Sequence, residues 1–176
     1  VTEGNYPHNG ISGFSFNEDG DVFFGLGENL GKDYSLVGSD GSVISGGGEG
    51  GSIFRMLADG SRLHRYATGF WNPYRTTIDA FGRMFMVDND ADSRPPCRLN
   101  HVVPNGDFGY RFKYGRKGLH PYTSWNGENP GMLPMASGVG DGPSGVLAYE
   151  STHLPGDYLG GVFVTAAWFH NRLEFH

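Results

Sequence analysis

Cysteine is almost missing: Cys97 stands alone in 176 residues. That excludes an internal disulfide and any thiolate zinc cluster. Charge is scarce too, with 18% of residues ionic and a formal net charge of −6. The Lys and Arg residues read as scattered rather than striped, so the chain shows no electrostatic footprint for nucleic acid. No apolar run is long enough to span a bilayer, and no signal peptide stands at Val1. No segment of useful length repeats apolar residues every 3.6 positions, so almost no helix is expected.

What the chain does hold is glycine, proline and rings: 30 Gly, 10 Pro and 14% aromatic residues. Gly and Pro punctuate turns, whereas Phe, Tyr, Trp and Val favour pleated, half-buried surfaces. The combination predicts an all-β chain of short strands and long loops. A phrase recurs within it. Ile11–Phe16 leads through Asp19-Gly20 into Asp21–Gly27; Arg75–Asp79 leads through Gly82 into Arg83–Val87; Val146–Tyr149 reaches Val162–Thr165 past Gly160-Gly161. Each copy reads as strand, glycine turn, strand, because a tight turn needs a positive φ that Gly adopts cheaply.

Further hairpins are expected around Asp59-Gly60, and between His101–Val103 and Phe108–Arg111. The repeat glycines at 20, 82 and 161 are 62 and 79 residues apart, longer than the roughly 40–50 residues of propeller repeats. Inserted loops near 30–51 and 115–142 account for the excess. Residues 1–176 therefore read as a fragment of a single β-propeller domain, about three blades of it. The terminal Leu173–His176 looks like a strand cut short. A complete small β-sandwich is the alternative.

Three constellations carry chemistry. The apolar run Met84–Val87 stops abruptly in Asp88, Asp90 and Asp92, hard oxygen donors of the kind calcium takes. An EF-hand is rejected, since Ser93 stands where its glycine belongs and Leu99 where its glutamate belongs. Calcium on a propeller loop, with backbone carbonyls as well as side chains, remains open beside a solvated acidic turn paired with Arg94 and Arg98.

His8 precedes the first repeat strand and Glu28 follows the second, so a hairpin brings them to one end. A carboxylate beside an imidazole suits a general base; a surface His and a loop Glu are the plainer reading. Trp71, Asn72, Tyr74, Trp125 and Trp168 suit stacking on a planar ring or sugar, or core packing. The tract Gly46–Gly51 lacks the following helix and the lysine of a phosphate loop and reads as a flexible surface loop.

The ordered series of these phrases resembles the soluble quinoprotein glucose and sorbosone dehydrogenase family, six-bladed propellers that use pyrroloquinoline quinone. It runs His8-Asn9-Gly10, Asp19-Gly20, Gly51–Arg55 with Asp59-Gly60, then Gly69-Phe70-Trp71-Asn72-Pro73. The acidic loop and Val102-Val103 with Gly106–Tyr110 complete it. The form Asp88–Arg98 is similar to large membrane-bound-dehydrogenase-type proteins of planctomycete-type bacteria, in which such propellers are joined to helical-repeat and haem-binding segments. No Cys-x-x-Cys-His motif occurs, so no haem is expected within this chain.

The resemblance implies an oxidoreductase for a sugar or polyol, with His8 as general base, Glu28 orienting it, and Trp71, Asn72 and Arg75 beside the quinone. It implies calcium held around Asn89, Asp90 and Ala91, with Asp88 and Asp92 in the same loop. It further implies a periplasmic or extracellular location, membrane association through segments outside this chain, and an electron-accepting cytochrome domain as partner.

The chain departs from the family at two positions: Trp71 replaces an arginine, and no cation is evident near Ala166-Ala167-Trp168. A propeller that has lost the cofactor and binds carbohydrate or an assembly partner is therefore the competing reading. A calcium-dependent lactone hydrolase would need carboxylates from several blades, and only one such loop is visible in the sequence.

Overall fold

A computed structural model describes residues 7–91, 94, 96–166 and 171–176. Its strands are β1 (Ile11–Phe16), β2 (Val22–Leu26), β3 (Tyr34–Val37), β4 (Val43–Gly46), β5 (Gly51–Met56), β6 (His64–Phe70) and β7 (Asn72–Ile78). They continue as β8 (Met84–Asn89), β9 (Cys97–Val102), β10 (Gly106–Asp107), β11 (Ser137–Val139), β12 (Pro143–Ala148), β13 (Val162–Ala166) and β14 (Arg172–Phe175). Helix among the described residues is confined to three single 3-10 turns, as the missing 3.6-residue period predicts.

Four local turns set the hairpins. Gly20, Gly41, Gly60 and Gly82 each occupy the fourth position of a five-residue turn, with φ between +77° and +81°. The glycine amide of each donates to the first residue's carbonyl, at 2.9–3.0 Å. That is the three-residue hairpin geometry ending in a left-handed residue, where any side chain would be strained. The first two copies of the strand–glycine–strand phrase thus share one turn, whereas the third is closed by a longer connection with a 3-10 turn at Gly156–Tyr158.

The first sheet runs β1-β2-β5-β6-β10, the second β11-β9-β8-β7 and the third β12-β13-β14. Cores lie between consecutive sheets. Phe23, Ile53 and Phe70 of the first pack on Met84, Met86 and Val102 of the second. Val87 and Leu99 of the second pack on Val146, Val162 and Val164 of the third. The opening strands β1, β7 and β12 also pack in series. The Thr76 hydroxyl donates to the Gly13 carbonyl at 2.5 Å, joining β7 to β1. On β2, Gly25 lets β7 approach closely, because a β-carbon there would overlap the Pro73 carbonyl oxygen.

Two expectations are corrected. Residues 30–51 are not a bare loop: β3 and β4 form a separate antiparallel hairpin. Glu49 holds its base, accepting from the Gly47 amide at 2.5 Å and the Tyr34 hydroxyl at 2.7 Å. Phe108–Arg111 does not return along His101–Val103 either. A turn with Asn105 at φ +60° sends the chain to the first sheet. There β10 pairs in parallel with β6, and the Phe108 amide donates to the Thr68 carbonyl at 2.9 Å. The driving force is burial: Phe108 is fully inaccessible and stacks on Phe70 at 4.8 Å.

Candidate functional site

The acidic stretch opens on Asp88, and the structure gives that residue a load the sequence did not reveal. Asp88 is fully buried at the end of β8 and ion-paired at 2.6 Å with the equally buried Arg98 of β9. Its Oδ1 accepts from the amides of Trp71 (3.1 Å) and Asn72 (2.7 Å). Arg98 spends all its donors on protein: Asp88 twice, and the carbonyls of Phe108 (2.9 Å), Trp125 (2.8 Å) and Gly69 (3.1 Å).

Its guanidinium also lies 3.7 Å from the centre of the Trp125 ring. Burial works against both charges, pushing the Asp88 carboxyl up and the Arg98 guanidinium down. Their mutual attraction opposes each shift. Asp88 is therefore corrected from metal ligand to a buried tie, since both its oxygens are already engaged.

Around this tie the expected site residues gather. The Asn9 side-chain amide donates to the Glu28 carbonyl at 2.8 Å and the Trp71 carbonyl at 3.4 Å. The Glu28 amide donates to the Trp71 carbonyl at 2.8 Å. The chain at His8-Asn9, Glu28 and Trp71-Asn72 thus meets at one end of the sheets, with His8 exposed to solvent. The Glu28 carboxylate itself is given to backbone: its Oε1 accepts from Gly31 at 2.6 Å and its Oε2 from Gly50 at 3.1 Å. Burial pushes that carboxyl up, the two amides pull it back, and neighbouring Glu49 pushes it up again.

Trp71 is buried with Ala91, Tyr110 and Trp125 in one aromatic cluster, and the Arg116 guanidinium sits 5.8 Å over its ring. Asn72 leaves its side-chain Oδ1 buried without a hydrogen-bond partner, a costly state that a ligand donor would relieve. Arg75 opens elsewhere, into a groove of about 620 Å³ lined by Ser144, Leu147 and Thr165. Tyr74 is exposed and Trp125 is core. Trp168 and Asp92 lie outside the described residues.

Asn89 ends β8 opposite Asn72, and Asp90 follows it toward two residues that sequence reasoning missed. The carboxylates of Asp90 and Asp141 and the Cys97 thiol lie within 4.8 Å of one another. Asp141 arrives from the link between the second and third sheets, so carboxylates of two segments converge here. Its only sequence signal was an Asp-Gly pair just before the third repeat. Two carboxylates suit a hard cation.

The thiol accepts from the Asp90 amide at 3.3 Å, and burial pushes it up to about 11. Cys97 thus lines the cluster with a soft sulfur beside two hard carboxylates. Being 1% exposed, it is expected to resist a disulfide-exchange reagent at pH 8 until the protein unfolds. Rapid labelling of the native protein would contradict its placement.

No family model matches the chain, and no curated protein does. Solved structures do match. The PQQ-bound form of an aldose sugar dehydrogenase from Streptomyces coelicolor has a TM-score of 0.61 at 20% identity, over 93% of this chain and 43% of that one. Two structures described as glucose dehydrogenase give 0.59 and 0.63 at 18% and 19% identity, over 86% and 89% of this chain and 46% of each of theirs.

The fold is a partial β-propeller. The three sheets are its blades, and the chain spans somewhat under half the length of those dehydrogenases. The tie from Asp88 to Arg98 fastens the second propeller blade to the end of the first, through Gly69, Phe108 and the connecting Trp71. No helix among the described residues is long and apolar enough to cross a membrane.

Proposed function

We propose that this propeller segment belongs to an oxidoreductase of the quinoprotein type that oxidises a sugar or polyol. The observation that carries the reading is the convergence of His8-Asn9, Glu28, Trp71-Asn72 and the 89–91 loop at one end of the blades. The matched structures, one of them PQQ-bound and all sugar dehydrogenases by description, agree with it. The kinship to planctomycete-type dehydrogenases, the extracytoplasmic location and the cytochrome partner belong to the same proposal.

Two features suit the groups it needs. Asn72 offers a buried acceptor with no partner, and Asp90 with Asp141 offers hard oxygens beside the main chain of Asn89 and Ala91. Asp90, Asp141 and that main chain would hold calcium, and Asn72 would meet the quinone. The quinone, when bound, supplies the oxidising equivalents. His8 takes the proton from the substrate hydroxyl at an imidazole nitrogen, and its exposure leaves it open to substrate.

One observation favours a second reading, a non-catalytic propeller that binds carbohydrate or an assembly partner. Position 71 carries an indole buried in the core where the resembling family places an arginine. A cofactor with several carboxylates loses affinity when its charges go unpaired. Titrating the intact protein with pyrroloquinoline quinone and calcium separates the two. The oxidoreductase reading expects saturable absorbance change at micromolar quinone and dye reduction on a sugar panel. No quinone binding at that concentration would leave the non-catalytic reading.

A further inference from the structure

The basic residues are not scattered after all. Arg111, Lys113, Arg116 and Lys117 fall within seven positions, and no Asp or Glu occurs between Asp107 and Glu128, in a chain of net charge −6. Arg111 is paired with Asp107; Lys113, Arg116 and Lys117 are exposed. The same loop presents rings to solvent. Tyr114 and His120 stack with centroids 4.9 Å apart, and Tyr122, 67% exposed, lies 5.7 Å from Tyr114 and 5.2 Å from His120. The Lys113 ammonium is 5.1 Å from the Tyr114 ring.

Backbone contacts hold this surface in shape. The Tyr110 hydroxyl donates to the Arg116 carbonyl at 2.7 Å, the Lys113 amide to the Gly48 carbonyl at 3.0 Å, and the Asn129 side chain to the Pro121 carbonyl at 2.9 Å. A preorganised surface loses less entropy on binding. The loop also adjoins the candidate site, since Arg116 lies over Trp71.

We propose that loop 111–122 selects the saccharide, and that the saccharide it selects is a uronate-type acidic sugar. Its carboxylate pairs with Arg116 and Lys117, and its ring stacks on the exposed Tyr122 beside the stacked Tyr114–His120 pair. The choice of a saccharide among ring-bearing anions rests on the sugar-oxidoreductase reading. The exposed basic residues in an acid-free stretch favour an anion, and charge-assisted hydrogen bonds suit a carboxylate. The exposed rings favour a ligand with a flat apolar face.

The test needs neither cofactor nor turnover, so failure of the quinone titration and failure of this inference are distinguishable. Calorimetry of the intact protein compares an oligogalacturonate, a neutral cello-oligosaccharide, a dextran sulfate fragment and a short oligothymidylate. The oligogalacturonate is expected to bind at least about tenfold more tightly than the other three, a difference on the scale of one charge-assisted pair.

Arg116→Gln with Lys117→Gln is expected to weaken it about tenfold, and Tyr122→Ala, which leaves the charge unchanged, several-fold. These positions are exposed, and an unchanged thermal midpoint checks that the variants fold. Equal binding of the neutral sugar, tighter binding of the dextran sulfate fragment or the oligothymidylate, no binding at all, or no effect of Tyr122→Ala would each overturn the proposal.

Discussion

Arg98→Met is expected to lower the unfolding free energy by about 3–5 kcal/mol, the range for breaking a buried ion pair from one side. The substitution keeps most of the side-chain volume but strands the Asp88 carboxylate without its counter-charge. It also removes the donors to the Gly69, Phe108 and Trp125 carbonyls. Those groups lie on three segments that Arg98 ties together, so the loss should appear as one cooperative fall in stability. For a chain of this size the thermal midpoint should drop on the order of 10 °C.

Arg98→Lys should recover little, because an ammonium cannot reproduce a planar fork of five donors. Adding Asp88→Asn to Arg98→Met should restore part of the loss by removing the stranded charge, which a double-mutant cycle in urea reads directly. A single-variant effect below about 1 kcal/mol would mean that the pair is not the tie described.

His8→Ala is expected to cut turnover of a sugar substrate by about 10²–10⁴-fold, the usual contribution of a general base. Quinone and calcium binding should be unchanged, because in the proposed reaction His8 acts on the substrate rather than on the cofactor. Being exposed, the residue can be removed with little effect on stability.

Glu28→Gln should behave in the opposite way. Its two oxygens accept from the Gly31 and Gly50 amides, and a carboxamide can serve only one of them. The expected result is a stability loss of about 1–3 kcal/mol with a smaller effect on turnover. Unchanged kcat in His8→Ala would remove the imidazole from the reaction. A kcat collapse in Glu28→Gln without loss of stability would return the carboxylate to the role of orienting it.

The two residues show how far a sequence can be read. A hairpin logic was enough to bring His8 and Glu28 to one end, because strand direction and turn position are local properties. Where the carboxylate of Glu28 points is not local. The Gly50 amide, 22 residues away, lies beyond the β3–β4 hairpin, which itself escaped notice because its short strands sit among glycines and polar residues. Asp88 was visible as a charge at the end of an apolar run. Its burial was not, since it depends on Arg98 reaching back from the next strand.

By itself the sequence determined an all-β chain, the hairpin turns at Gly20, Gly60 and Gly82, and the order of phrases that marks a propeller. Those features follow from the positive φ that only glycine adopts cheaply and from apolar runs that must be buried. Tertiary structure decided the rest. It made Asp88 a buried tie rather than a ligand, carried Asp141 to Asp90 and Cys97, sent Phe108 to the first sheet, and set the rings of Tyr114, His120 and Tyr122 side by side among lysines. Each of those outcomes depends on segments distant in the chain competing for the same burial and hydrogen bonds, and that competition is settled only when the blades pack.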